Sequence, residues 1–135
     1  MPQQFEREIT ADDVADFLGK GLLENLVSLF RADPSLYPLI GELLADERIA
    51  ARVGASALVE SLVEEDPTHA HLVVKALAPL LENGRALVRG DAAWLLGVVG
   101  RREALAGLRR LLDDRDQGVR EAAAEAVEGI EGRED

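Results

Sequence analysis

One segment of the chain occurs twice in nearly the same form, and this repetition restricts the fold more than any other feature. VRGDAAWLLG occupies residues 88–97, and VREAAAEAVE occupies residues 119–128, 31 positions further on. In both copies, apolar residues stand at offsets 0, 4, 8 and 11 from the first valine, so they line one side of an α-helix. The same stripe begins at Ala51, 37 positions before Val88. Three copies of one amphipathic helix predict a repeat protein.

A second apolar set precedes each stripe and completes the repeating unit. Its three versions are Leu36, Ile40, Leu43 and Leu44; Val73, Leu77, Leu80 and Leu81; and Ala104, Leu108, Leu111 and Leu112. In every copy, eight positions separate the last leucine of this set from an arginine of the stripe, namely Arg52, Arg89 or Arg120. Constant spacing across the turn marks a pair of helices as the unit. Stacked helix pairs with a period of 31–37 residues predict an all-α fold, a right-handed α-α superhelix or α-solenoid.

The periodicity and the turn residues predict eight helices. Their expected ranges are 11–18, 20–31, 34–45, 47–64, 67–82, 86–99, 102–112 and 117–130. Asp33-Pro34 and Asp66-Pro67 support two of the starts, because an aspartate can cap a helix and proline fits its first position. Pro79 lies inside one predicted helix and is expected to bend it. We expect a single domain over residues 1–135, with an N-terminal helical cap followed by three repeats, at 10–31, 34–64, 67–99 and 102–130.

The motif V-R-x-x-A-A-x-x-L/V, present as VRGDAAWLL and VREAAAEAV, resembles the HEAT repeats. The variety that it resembles most is the short HEAT-like repeat of the PBS-lyase type, and the resemblance covers about residues 34–130. The first copy, ARVGASALV, departs from the family pattern because it begins with Ala51. The resemblance implies an armadillo-like helical fold in which the second helix of each repeat lines a concave face. It also implies a non-catalytic protein-binding role, although relatives of this type include chromophore-lyase subunits.

A turn residue stands six positions before the arginine of each second helix. The pairs are Asp46 and Arg52, Asn83 and Arg89, and Asp114 and Arg120. The resemblance implies a ladder of hydrogen bonds between adjacent repeats, since one planar guanidinium can bind its own turn and a neighbouring one at once. Asn83 lacks the charge of the two aspartates, so the middle rung is expected to be weaker.

Trp94 is the candidate binding residue. It points about 145° away from the centre of the buried stripe of its helix, at 100° per residue, and the equivalent residue of the last copy is Glu125. Two interpretations remain open: either a neighbouring second helix covers Trp94, or Trp94 anchors a partner, as tryptophan commonly does at interfaces. On the second interpretation, the partner-binding residues of the concave face are Trp94, Asp91, Val98, Glu60, Glu121 and Glu125.

The sequence offers no set of residues for catalysis or for metal binding. There is no cysteine, which excludes thiolate chemistry. The two histidines, His69 and His71, are separated by two positions and so point to different sides of a helix, unlike a zinc-binding pair. Neither a nucleophile elbow nor a phosphate-binding glycine loop is present. We therefore expect no enzyme activity, no metal and no cofactor.

The net charge of −11 makes a nucleic-acid partner unfavourable. No apolar run approaches the length of a membrane span, and we expect a cytoplasmic protein. The expected partner is a basic protein or peptide that offers an apolar anchor. The predicted function is that of an interaction scaffold or adaptor. The alternatives are a subunit of a chromophore-lyase-like enzyme complex and a structural piece of a larger assembly. The chain is expected to be a monomer or a weak homodimer, with the N-terminal helices as the candidate contact.

Overall fold

The regular structure of the residues that the structure describes is helical. The computed structural model describes residues 8–133, and within that range there are eight α-helices, short 3-10 segments and no strand. The helices are α1 (Ala11–Gly19), α2 (Leu23–Ala32), α3 (Leu39–Leu44), α4 (Ile49–Glu65), α5 (Ala70–Leu77), α6 (Ala86–Val99), α7 (Leu105–Arg110) and α8 (Gln117–Glu131). The predicted all-α fold class is confirmed.

The helices pair as the repeat pattern indicates. α3 packs on α4, α5 on α6 and α7 on α8, and we refer to these pairs as repeats 1, 2 and 3. α1 and α2 pack against α4. The stripe that begins at Val88 is fully inside, since Val88, Ala92 and Leu96 have no exposed surface. One continuous core therefore runs through the three repeats, and the sides of α4, α6 and α8 opposite that core form a common face.

The first helix of each repeat is shorter than the sequence predicts. α3, α5 and α7 are each preceded by a 3-10 segment, and α5 and α7 are also followed by one. Pro79 was expected to bend a helix over 67–82, but α5 ends at Leu77 and a 3-10 segment spans Ala78–Glu82. Proline lacks the N–H group that the next turn of an α-helix needs. The chain therefore tightens into a 3-10 segment at this position instead of continuing as a bent α-helix.

Asp66 has a different role from the helix cap that the sequence suggested. Asp33 does cap the segment that follows it, since its Oδ1 accepts from the Ser35 N–H at 3.2 Å, but Asp66 makes no such bond. Instead, the Tyr37 hydroxyl donates to the buried Asp66 carboxylate at 2.7 Å, and His69 Nδ1 lies 3.0 Å from it. Burial opposes ionisation of Asp66, but these two contacts outweigh it and hold its pKa below the usual value. This cluster ties repeat 1 to the start of repeat 2.

Candidate protein-interaction face

Trp94 stands at the edge of an open pocket between the first halves of α6 and α8. The residue is 45 % exposed, and the pocket has a volume of about 480 Å³. Asp91 and Leu87 line the same pocket from α6, and Ala122 lines it from α8. Trp94 is thus neither buried between helices nor free in solvent, because one part of the indole rests on the protein and the other part is accessible.

Other large apolar side chains share the side of α4 and α6 that faces away from the core. Ile49 is 69 % exposed, Val53 is 64 % exposed and Leu87 is 53 % exposed. Ile49 and Leu87 are absent from the set of binding residues predicted from the sequence, although Leu87 stands seven positions before Trp94 and so lies in the same column of α6. Exposed apolar side chains that gather on one surface are typical of interaction sites.

The charged groups on this surface are carboxylates. Glu60, Glu121 and Glu125 are exposed, and Asp91 and Val98 are partly buried. We call the outer surface of α4, α6 and α8 the second-helix face. Its members are Ile49, Val53, Glu60, Leu87, Asp91, Trp94, Val98, Glu121 and Glu125. The basic residues within these three helices are Arg52, Arg89 and Arg120.

All three of these arginines are largely withdrawn from solvent, and Arg89 has the most complete set of partners. Arg89 Nε donates to Asp114 Oδ2 at 2.9 Å, and Nη2 donates to Oδ1 at 3.0 Å. Its Nη1 donates to the Asn83 carbonyl at 2.9 Å. The hydrogen bonds from Arg89 hold the pKa of Asp114 below its usual value. Arg89 therefore joins the turn of repeat 2 to the turn of repeat 3.

The other two arginines make fewer contacts. Arg120 Nη1 donates to the Asp114 carbonyl of its own turn at 2.7 Å. Arg52 Nε is buried and has no hydrogen-bond acceptor among residues 8–133. It lies 3.7 Å from Asp91 Oδ2. The second-helix face is therefore acidic, because its basic groups are directed into the structure.

The side chains of Asp46 and Asn83, the two other turn residues of the expected ladder, bind elsewhere. Arg48, which follows Asp46 by two positions, donates to both of its carboxylate oxygens, at 3.0 and 2.9 Å. These bonds lower the pKa of Asp46 to about 2. The Asn83 side chain accepts from the Arg85 N–H at 2.9 Å. The sequence pattern assigned these two side chains to Arg52 and Arg89. They are instead hydrogen-bonded to Arg48 and to the backbone N–H of Arg85.

Small residues determine how closely α8 approaches α6. A Cβ atom added at Gly97 meets the Ala126 Cβ at 2.9 Å, so the two helices touch there without an intervening side chain. A Cβ atom at Gly90 lies 3.9 Å from Val119 Cγ2. The close contact places the pocket of Trp94 directly beside α8.

Residues 74–135 match the family model for HEAT repeats. The matched residues are slightly less than half of the chain, and they contain α6, α7 and α8. The repeat prediction is thereby confirmed, while the PBS-lyase-type variety stays a prediction. The match includes Asp91, Trp94, Glu121 and Glu125. The α4 part of the second-helix face precedes the matched residues.

Among solved structures, the chain is similar to an engineered protein from the Northeast Structural Genomics Consortium, seen in a crystal structure. The two chains are 20 % identical with a TM-score of 0.52, and the similarity covers 89 % of this chain and 54 % of the other. At this identity the likeness shows the fold alone, and the chain spans about half the length of the engineered protein. No curated protein matches the chain.

HEAT repeats generally serve as protein-interaction scaffolds. Within residues 8–133 no cluster of three or more histidines, cysteines or carboxylates could hold a metal ion. In the same range, no helix combines the length and the apolar character that crossing a membrane requires.

Proposed function

We propose that this chain is a non-catalytic interaction scaffold that binds a basic protein or peptide on its second-helix face. The observation that carries the proposal is the exposed indole of Trp94 beside an open pocket. Tryptophan is enriched among the residues that dominate binding energy. A tryptophan residue left 45 % exposed can still bury a large apolar area when a partner covers it.

The charge of the face supports a basic partner. Glu60, Glu121 and Glu125 are exposed, and the three arginines of these helices are turned inward. A partner with lysine or arginine side chains around an apolar one would match both the carboxylates and the apolar residues Val53 and Leu87. Complementary charge of this kind mainly accelerates association and selects the partner.

Selection from a random peptide library tests the proposal with ligands that the protein itself chooses. Peptides of twelve residues displayed on phage are selected on the immobilised protein, and the tightest one is synthesised. We expect Trp94→Ala to weaken its binding by about 30-fold, which corresponds to about 2 kcal/mol. Leu112→Ala is the matched control, since Leu112 is also exposed but lies in the 3-10 segment after α7. Equal losses for the two variants, or enrichment of no peptide, would refute the proposal.

The electrostatic part of the proposal has its own test. Glu121→Lys should reduce the association rate of the selected peptide severalfold and weaken its salt dependence, while the dissociation rate changes little. Glu103→Lys is the control, because Glu103 is an exposed carboxylate at the start of repeat 3, outside α8. If the two reversals have the same effect, only the overall charge of the protein matters and the face has no special role.

A further inference from the structure

We infer that the second-helix face contains a subsite for one arginine side chain of the partner, formed by the Asp91 carboxylate and the Trp94 indole. This inference rests on the proposed function and specifies what the partner must carry. In the subsite, the guanidinium group stacks on the indole and donates hydrogen bonds to the carboxylate. The apolar side chain of the partner then contacts Leu87 and Val53.

Asp91 is a carboxylate with unused acceptor capacity. Its side chain is 38 % exposed, and the nearest cation, Arg52, stays 3.7 Å away. No hydrogen bond to the Asp91 side chain occurs among residues 8–133. Burial raises the pKa of Asp91, and the attraction of Arg52 offsets that effect only in part. A group that has lost water without gaining a full partner binds a cationic ligand more strongly than a fully solvated carboxylate does.

Trp94 stands one helical turn after Asp91, so the two side chains share one side of α6 and line the same pocket. The face of an indole attracts a cation placed over it. The pocket has room for a long side chain, because Gly90, Gly118 and Ala122 contribute little volume to its walls. Asp116 also lines the pocket, and its carboxylate adds to the negative potential there.

Arginine fits these two groups better than lysine does. A guanidinium group is planar, so it can stack on the indole and at the same time direct two N–H groups at one carboxylate. A lysine ammonium group is a compact point charge and cannot satisfy both contacts in the same way. Arg89 and Arg120 do not compete for the subsite, since Arg89 is bound to Asp114 and Arg120 to its own turn. Arg52 approaches Asp91 only to 3.7 Å and leaves its oxygens free to accept hydrogen bonds.

The experiment uses the tightest peptide from the phage selection. Each arginine of the peptide is replaced in turn by citrulline, which keeps the shape of the side chain and removes the charge. For the unaltered protein, we expect one citrulline replacement to weaken binding by at least about 10-fold. For Asp91→Asn, the affinity is already lower by a similar factor, and the same replacement has little further effect. Glu125→Gln, which removes an exposed carboxylate from α8, is the control and should stay sensitive to citrulline.

The outcomes separate this inference from the proposed function. If the selected peptides depend on Trp94 but carry no arginine, or if citrulline weakens binding equally for the unaltered protein and Asp91→Asn, the arginine subsite is refuted and the scaffold function stands. If no peptide is enriched, the scaffold function itself fails, and the subsite fails with it. A melting curve for Asp91→Asn checks its fold, and no decrease is expected because the variant removes a charge from a partly buried position.

Discussion

Successive repeats are joined where α4 contacts α6 and where α6 contacts α8, and we call these two contacts the joints. Equivalent helices form both joints, but the helices pack more closely in one than in the other. α6 and α8 lie in contact along much of their length, whereas α4 contacts α6 over a short part of its own. The closer joint contains Gly90 and Gly97, which face α8. The equivalent positions of α4, 37 residues earlier, hold Val53 and Glu60. The contrast indicates that small residues at these two positions permit the closer approach.

The hydrogen bonds of the two joints differ in the same direction. Arg89 donates twice to Asp114 across the closer joint, and both side chains are more than nine-tenths buried. Across the other joint, Arg52 lies 3.7 Å from Asp91, and the exposed Arg85 donates to the Ala45 carbonyl. The arginine of the repeat motif thus forms an ion pair with two hydrogen bonds at the α6–α8 joint. At the α4–α6 joint it forms only a longer ion pair.

The two joints therefore differ in how firmly they hold successive repeats together. The joint between α6 and α8 contributes more stability, and the more open joint leaves Ile49 and Val53 exposed. Trp94 lies at the α6–α8 joint, in the pocket beside the close contact of the two helices. Variants that alter one joint, with the equivalent residue of the other joint as the control, test whether the two joints differ in stability.

The largest effect is expected from Arg89→Ala. Removing this side chain leaves Asp114 buried without its partner, and the melting temperature should fall by about 10 °C. Arg52→Ala removes a guanidinium group that has one long ion pair, so the change should stay within about 2 °C. Thermal unfolding followed by circular dichroism measures both. Equal decreases for the two variants would show that the joints are equivalent.

A smaller decrease, about 7 °C, is expected from Gly97→Val. A side chain at this position overlaps Ala126, and overpacking of this kind costs about 2 kcal/mol. Glu60→Val introduces the same side chain at the equivalent exposed position of α4 and should change stability by less than about 0.5 kcal/mol. Differential scanning calorimetry of the pair provides the comparison. A neutral Gly97→Val would contradict the close contact between α6 and α8.

The contributions of Asp114 and Asp91 to the stability of the fold should change with pH in opposite directions. The pKa of Asp114 is lowered, so its contribution to stability is complete above its ordinary pKa of about 4 and is lost as the pH falls through the lowered value. Asp114→Asn should therefore be less stable than the unaltered protein at pH 7, and the difference should shrink in acid. The pKa of Asp91 is raised, so its ionisation disfavours the folded state.

Asp91→Asn should accordingly be as stable as the unaltered protein at pH 7 or slightly more stable, and any advantage should vanish below about pH 4. Urea unfolding of both variants between pH 2 and pH 7 gives the two profiles. A loss of stability for Asp91→Asn at neutral pH would mean that its pairing with Arg52 is as important as the bond between Arg89 and Asp114.

The helices could be predicted from the sequence because their signals are local. α6 begins and ends at the residues that the apolar stripe predicts, and the stripe itself is buried. The partners of the side chains were harder to predict, because they depend on which groups compete nearby. Arg48 binds the carboxylate of Asp46. The pattern that paired Asp46 with Arg52, six positions further on, did not include this contact.

The candidate site was also predictable only in part. The angular position of Trp94 singled it out, but the exposure of Leu87 and Ile49 depends on how far apart neighbouring helices stand. The cluster of Tyr37, Asp66 and His69 joins residues up to 32 positions apart. No short-range spacing in the sequence indicates that contact.

Quenching of tryptophan fluorescence reports on the exposure of Trp94 alone, because Trp94 is the only tryptophan of the chain. Acrylamide quenching is measured for the free protein and then with the selected peptide bound. We expect long-wavelength emission that is readily quenched in the free protein, and protection from the quencher when the peptide covers the second-helix face. Short-wavelength emission that resists quenching in the free protein, or no protection by a bound peptide, would contradict the claim that Trp94 is an exposed binding residue.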